Sequence, residues 1–145
     1  MTTKKDLQFA SDLRNAITRL TKKLRKESPT GLKLSVTERS TMALLHQHGS
    51  LLPNELAAME MITNQSMSQV LNNLSGFGYI TRTVSETDKR KVNISLLPLG
   101  EQTLKQVRYE RDEWLAKTIA ETCTSEEQEI LKQALVPLGR LVDRK

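Results

Sequence analysis

One stretch of this sequence carries short, neutral side chains that can both donate and accept hydrogen bonds. No side chain between Met61 and Ile80 is charged, although exposed helices more often carry Glu and Lys. Asn and Gln amides can pair bidentately with adenine in the DNA major groove, and Ser can bond to several base edges. We interpret six residues as base-reading and expect adenine contacts: Asn64, Gln65, Ser66, Ser68, Gln69 and Asn72.

Taken alone, such a face is better explained as ordinary solvated polar residues, but a group of cations follows it. Lys89, Arg90 and Lys91 could meet phosphates, or Arg90 could enter a narrow minor groove where the negative potential is strongest. Asp88 lies on the same side of an extended chain and could hold the guanidinium by a charge-assisted hydrogen bond. Arg82 is a further phosphate candidate, whereas for Lys89 and Lys91 a solvated tip explains the charge equally well.

Two elements must position these side chains. Apolar residues three or four apart predict a helix over about 64–77, capped by Thr63 and ended by Gly78, with a buried face formed by Met67, Val70, Leu71 and Leu74. Alternating residues then predict two strands, at about 80–84 and 91–96. The inward residues of the second strand are Val92, Ile94 and Leu96.

Further helices are predicted on both sides of this unit. A first helix carries the stripe Ala10, Leu13, Ile17, Leu20 and Leu24, and a second runs from the capping box at Ser35 to about His48. A short helix begins at Pro53, with Leu56, Ala57 and Met59 inward. A long helix runs from Pro98 to about Thr122, and a last one follows Thr124, kinked or broken at Pro137.

This order predicts a mainly α chain with a small β-hairpin wing. Three helices and two strands form a winged helix-turn-helix, in which the last helix before the ribbon enters the major groove. The chain has 145 residues and a formal net charge of +5, which suits one domain over residues 1–145. Residues 1–26 hold eight basic and two acidic side chains, either as a solvated helix face or as a flank beside a polyanion.

Other classes of protein are disfavoured. The longest uncharged run is polar, and the N-terminus lacks a long apolar segment, so we expect no membrane span and no secretory signal. A single cysteine, Cys123, favours a reducing cytoplasm, and its acidic neighbours oppose a redox role. His46 and His48 point to different sides of a helix, so no metal site is expected. No catalytic motif supports an enzyme, and no cofactor is expected.

With these residues placed, the chain resembles the MarR family of winged-helix transcription regulators. The resemblance runs from about Leu7 to Val142 and is most specific from Leu56 to Gly100. The family pattern has LA near the start of the helix-turn-helix and a Leu late in the recognition helix. Gly, a bulky pair and Arg follow, then D-x-R in the wing and L-T-x-x-G at the next helix. The matching residues are Leu56, Ala57, Leu74, Gly78, Tyr79, Ile80, Arg82, Asp88, Lys89, Arg90 and Leu96 to Gly100, with Leu97 replacing the family's Thr.

The resemblance implies a symmetric homodimer on double-stranded, pseudo-palindromic DNA. Residues 35–97 would form the DNA-binding part, and residues 5–27 and 98–143 the dimerisation helices. The apolar residues assigned to the interface are Leu13, Ile17, Leu20, Leu135, Leu138 and Leu141. The family would place Arg90 in the minor groove, oriented by Asp88. It further implies a sequence-specific repressor released by a small aromatic ligand.

An alternative remains open from the residues themselves. A winged helix can also serve as a protein-interaction module that does not bind DNA. Such a module would carry an exposed apolar patch and would be indifferent to loss of Arg90.

Overall fold

The structure is a computed structural model that describes residues 1–145. Six helices and three strands follow along the chain as α1 (Lys4–Lys26), α2 (Val36–His48), β1 (Ser50–Leu51), α3 (Pro53–Glu60), α4 (Asn64–Gly76), β2 (Ile80–Val84), β3 (Val92–Leu96), α5 (Pro98–Thr122) and α6 (Ser125–Asp143). A 3₁₀ turn, Gly31–Lys33, lies between α1 and α2. The prediction of a mainly α chain with a β-hairpin wing is confirmed. No helix is both long and apolar enough to cross a membrane.

Hydroxyl side chains begin four of the six helices. Thr3, Ser35, Thr63 and Thr124 each accept a hydrogen bond from a backbone N–H in the first turn that follows. These caps satisfy donors that the helix itself leaves free. Pro53 and Pro98 begin the other two helices, whose N-cap residues, Leu52 and Leu97, offer no side-chain cap.

The core lies in the winged part of the chain, where α2, α3 and α4 pack against the small sheet. Fully buried apolar side chains come from every one of these elements, and they are Met42, Leu45, Leu56, Met67, Leu71, Leu74 and Ile94. Each such side chain stabilises the fold by roughly 1.5–3 kcal/mol. Val70, Val92 and Leu96 are half-buried against the same core, as the sequence pattern predicts. The core therefore holds α4 with one face inward and the other free.

The sheet has one strand more than the sequence predicted. Strand β1 pairs antiparallel with β3, Ser50 opposite Ser95 and Leu51 opposite Ile94, so the order is β1-β3-β2. A two-residue strand offers no alternating pattern to detect. Gly49 ends α2 at a φ of +82°, a conformation that favours glycine, and this sharp turn brings β1 beside the wing.

Two predictions about helices differ from the structure, the second of them only in part. Met59 was expected to face inward, but its side chain is 45% exposed because it lies near the end of the short helix α3, beyond the core contacts of Leu56 and Ala57. Pro137 was expected to kink or break the last helix. The break is excluded, because α6 continues through Pro137 to Asp143, although proline removes one bond from the helical ladder.

Two of the contacts that join α5 to the rest of the chain lie far apart along the helix. Gly100 lies so close to strand-side backbone that an added Cβ would stand 2.2 Å from the Tyr79 carbonyl oxygen, which explains the glycine at this position. Ten residues further along α5, Glu110 accepts hydrogen bonds from Ser28 Oγ at 2.8 Å and from Thr30 N at 3.0 Å. Partial burial would raise the pKa of Glu110, but hydrogen bonds from Gln106, Thr30 and Ser28 lower it to about 2.

Candidate nucleic-acid interface

Helix α4 presents its polar face to solvent. Thr63 fixes the start of the helix by accepting a hydrogen bond from Ser66 N at 3.0 Å. Three side chains, Met67, Leu71 and Leu74, are buried in the core, so the opposite face is turned outward. All six residues interpreted as base-reading are exposed on this helix, namely Asn64, Gln65, Ser66, Ser68, Gln69 and Asn72.

The wing tip is a short turn closed by its own hydrogen bonds. Ser85 N donates to Lys91 O at 2.9 Å, and Lys91 N donates to Asp88 O at 3.0 Å. The hydrogen bond expected between Asp88 and Arg90 is present, because Arg90 Nε donates to Asp88 Oδ1 at 3.2 Å and Nη2 to Oδ2 at 3.3 Å. These contacts, with a third from Arg90 N, lower the pKa of the Asp88 carboxyl and hold the guanidinium at the tip.

Helix α4 and the wing converge on one groove. Asn64 and Ser68 from α4 line it together with Arg90 and Lys91 from the wing, and its volume is about 410 Å³. Residues that are far apart in sequence thus meet in one groove, with an amide and a hydroxyl from α4 facing two cations from the wing. Lys89 lies exposed at the wing tip, outside this groove.

Arg82, which the sequence indicates as a candidate phosphate contact, is hydrogen-bonded within the protein. Its Nη2 donates to Asn72 Oδ1 at 3.0 Å, so strand β2 and helix α4 are joined at their exposed edges. The contact leaves the NH₂ group of Asn72 free. Two residues predicted to bind different parts of DNA, phosphate and base, are therefore coupled to each other.

Sequence reasoning missed a second group of arginines, which lies between the terminal helices and the winged part. Arg25 from α1, Arg39 from α2, and Arg108 and Arg111 from α5 line one cavity of about 370 Å³. Arg39 Nε and Nη1 and Arg111 Nε are buried without a hydrogen-bond partner. Burial, followed by the charges of Arg111 and Arg25, lowers the pKa of Arg39. Only the spacing of Arg108 and Arg111 on one helix hinted at this cluster, since the other members come from distant segments.

Helices α1 and α6 contain no buried residue in the single chain. Of the residues assigned to dimerisation, Leu13 and Leu138 are half-buried, and the others are exposed, namely Ile17, Leu20, Leu135 and Leu141. Each of these two long helices thus exposes apolar side chains at helical spacing, and exposed apolar patches of this kind mark interaction sites.

The histidines and the cysteine form no site together. His46 Nδ1 lies 2.7 Å from Glu101 Oε2, which links α2 to the first turn of α5. Cys123 is half-buried, with Thr122 Oγ1 3.7 Å from its sulfur. No three His, Cys, Asp or Glu side chains stand close enough to one another to hold a metal ion.

Known proteins resemble this chain over nearly all of its length. The family model described as the MarR family matches residues 34–92. HTH-type transcriptional regulators of Mycobacterium bovis and Mycobacterium tuberculosis are each 33% identical to it over 138 residues, which is 95% of each chain.

Solved structures share the fold. A Pseudomonas aeruginosa protein described as a transcriptional regulator superimposes with a TM-score of 0.84, at 28% identity over 99% of each chain. A variant of S. aureus MepR, solved bound to an oligodeoxyribonucleotide, superimposes with a TM-score of 0.70 at 23% identity, over 93% of this chain and 98% of that one. At that identity the MepR likeness is evidence for the fold alone.

Proposed function

This chain belongs to the MarR family of DNA-binding transcription regulators, and we propose that it is a homodimeric repressor released from its operator by a small anionic ligand. The family is one of regulators rather than of enzymes. Repression would follow from occupancy, since a dimer on promoter DNA excludes other proteins from it. The observation that carries the proposal is the groove in which Asn64 and Ser68 of α4 meet Arg90 and Lys91 of the wing.

Helix α4 and the wing carry different kinds of side chain, and this difference supports sequence-specific binding. Contacts to phosphate fix a protein's register on DNA, whereas base contacts carry the sequence information. The neutral face of α4 is suited to base edges, with Asn64, Gln65, Ser66, Ser68, Gln69 and Asn72 as the base-reading set. The wing, with Arg82, Asp88, Lys89, Arg90 and Lys91, is suited to the backbone and the minor groove. The oligodeoxyribonucleotide bound to MepR is consistent with this use of the shared fold.

Dimer formation is supported by the apolar surface of α1 and α6. A folded monomer would leave Ile17, Leu20, Leu135 and Leu141 between 45% and 68% exposed. Burial of the same patch on two copies across a two-fold axis removes that surface from water. Two copies of α4 would then read two related half-sites about one helical turn apart, on a pseudo-palindromic site.

The arginine-lined cavity supports release by an anion with an apolar body. Buried guanidinium donors without a partner are costly, and an anionic group would satisfy Arg39 and Arg111. Leu104 and Val107 line the same cavity and could contact an aromatic ring. The cavity lies between α1, α2 and α5, so a ligand there would act on the junction of the dimerisation helices with the winged part.

We expect the protein to bind random duplex DNA with an affinity that falls steeply as salt rises. Neutralised phosphates release counterions, so the logarithm of the binding constant should decrease linearly with the logarithm of salt concentration, with a slope of about −0.9 per phosphate contact. Fluorescence anisotropy across a salt series measures this slope. A protein-interaction module without DNA binding would give no binding even at low salt, and that result would overturn the proposal.

Benzoate is expected to weaken binding to a selected operator by about fivefold or more, in the range of ordinary allosteric coupling. Benzyl alcohol, which has the same ring without the charge, should have little effect. An Arg39→Met variant should still bind the operator but respond less to benzoate. Equal responses to the acid and the alcohol, in titrations of operator binding at fixed ionic strength, would contradict an anion-binding cavity.

A further inference from the structure

We propose that Glu38 sets a base preference of helix α4 by fixing which atom of the Gln69 amide faces outward. The inference rests on the proposed DNA-binding role of α4. Glu38 itself would not touch DNA, because its residue is only 6% exposed. It acts as a positioning residue through a second amide, Asn73, that lies between them.

The relay starts at the buried carboxylate. Glu38 Oε1 accepts a hydrogen bond from Ser35 N at 2.8 Å as part of the capping box of α2. Its other oxygen, Oε2, accepts from Asn73 Nδ2 at 3.1 Å. An ionised carboxylate only accepts hydrogen bonds, so Asn73 must turn its NH₂ group towards Glu38. The opposite orientation would place two acceptors against each other and leave a buried oxygen unsatisfied.

The orientation of Asn73 then determines that of Gln69. With its NH₂ group committed to Glu38, Asn73 presents Oδ1 to the next turn of α4, where Gln69 Nε2 donates to it at 3.3 Å. The Gln69 nitrogen is thereby held against the helix surface. Its oxygen, Oε1, has no partner in the protein and is the free end of the side chain.

Gln69 stands in the middle of the outward face. It is two residues from both Met67 and Leu71, each of which is buried, and a step of two residues turns about 200° around a helix. A free acceptor at this place matches bases that carry an amino group in the major groove, adenine N6 and cytosine N4. It opposes guanine O6 and thymine O4, which are acceptors themselves.

A single isosteric substitution should exchange the outward acceptor of the Gln69 amide for a donor. In Glu38→Gln the remaining oxygen can still accept from Ser35 N, because Gln also serves in capping boxes, while an NH₂ group replaces the oxygen that faces Asn73. Asn73 must then present its own oxygen to residue 38 and donate to Gln69. Gln69 would in turn accept from Asn73 and present its NH₂ group outward.

The experiment compares operator preferences by selection of bound duplexes from a random pool. Gln69→Ala in the wild-type background identifies the base pair that Gln69 contacts, as the position whose preference is lost. At that position we expect the wild type to favour adenine or cytosine and Glu38→Gln to favour guanine or thymine, a change of about fivefold to a hundredfold. The position governed by Asn72, whose orientation is set by Arg82, should not change and serves as the internal control.

Asn73→Ala provides a second variant at an exposed site, in case Glu38→Gln does not fold. Without Asn73 the amide of Gln69 can rotate freely, so the preference at its position should be relaxed rather than reversed. A thermal unfolding curve for each variant separates loss of fold from loss of specificity.

Three results would overturn the proposal: Gln69→Ala changes no preference, the Asn73→Ala preference stays as in the wild type, or a folded Glu38→Gln loses affinity equally for all sequences. The last is what a merely structural role of Glu38 predicts. Failure of the DNA-binding proposal is distinguishable, since the wild type itself would then select no sequence.

Discussion

Replacement of Arg90 by alanine is expected to lower affinity for the operator by about tenfold or more at each half-site. The Arg90 side chain is 90% exposed and its only hydrogen bonds are with Asp88 in the same turn, so its removal should leave the fold and the dimer unchanged. A hydrogen bond to a charged group contributes about 1.5–3 kcal/mol, which corresponds to this loss. Titration of labelled operator by fluorescence anisotropy measures it.

A matched control separates a specific role of Arg90 from a general effect of charge. Lys33→Ala removes one exposed cation from the 3₁₀ turn, outside both α4 and the wing. Asp88→Asn keeps the shape of the wing partner but weakens its hold on the guanidinium, so an intermediate loss is expected. If Arg90→Ala and Lys33→Ala lose operator affinity equally, the wing contributes only net charge. No loss at Arg90 would make its role in the minor groove wrong.

Introduction of glutamate at Leu135 is expected to dissociate the dimer and to lower operator affinity by about 10²- to 10⁴-fold. Leu135 is 68% exposed in the single chain, so the change should not unfold a protomer. In the dimer it would bury a charge in an apolar contact, which is costly, and the loss of joined half-sites removes the gain of bivalent binding. Sedimentation and operator titration on the same samples measure both effects.

Gln133→Glu adds the same charge to the same helix two residues away, on the opposite face of α6. It is exposed and should leave both assembly and binding close to wild type. Should Leu135→Glu remain dimeric, the interface lies elsewhere. A dissociated variant that keeps full operator affinity would instead contradict binding as a dimer.

Much of the fold was predictable because its elements carry local signals. Capping hydroxyls such as Ser35 and Thr124 mark helix starts in the sequence itself, and β2 begins and ends at the predicted residues. Strand β1 was not predictable, because two residues form no period and their pairing with β3 depends on a turn at Gly49. Met59 was misassigned since a short helix gives too few turns to define its inward face.

The candidate interface was predictable in its residue types but not in its couplings. The exposed amides of α4 follow from the positions of the buried ones, and the proximity of Asp88 to Arg90 follows from their spacing. The contacts of Arg82 with Asn72 and of Asn73 with Glu38 depend on which elements pack together, so no local pattern encodes them. The arginine cavity is assembled from three helices and was missed for the same reason.

Two of the attachments of α5 limit how the molecule can respond to a ligand. At Gly100 the helix touches the backbone of Tyr79, and at Glu110 it holds the segment that connects α1 to α2. These points are ten residues apart, about 15 Å along the helix axis. Because α5 is a continuous helix that is held at both points, we expect a protomer to move as one rigid body. A small tilt at the two-fold axis would then swing both copies of α4 apart, while neither winged part changes its own shape.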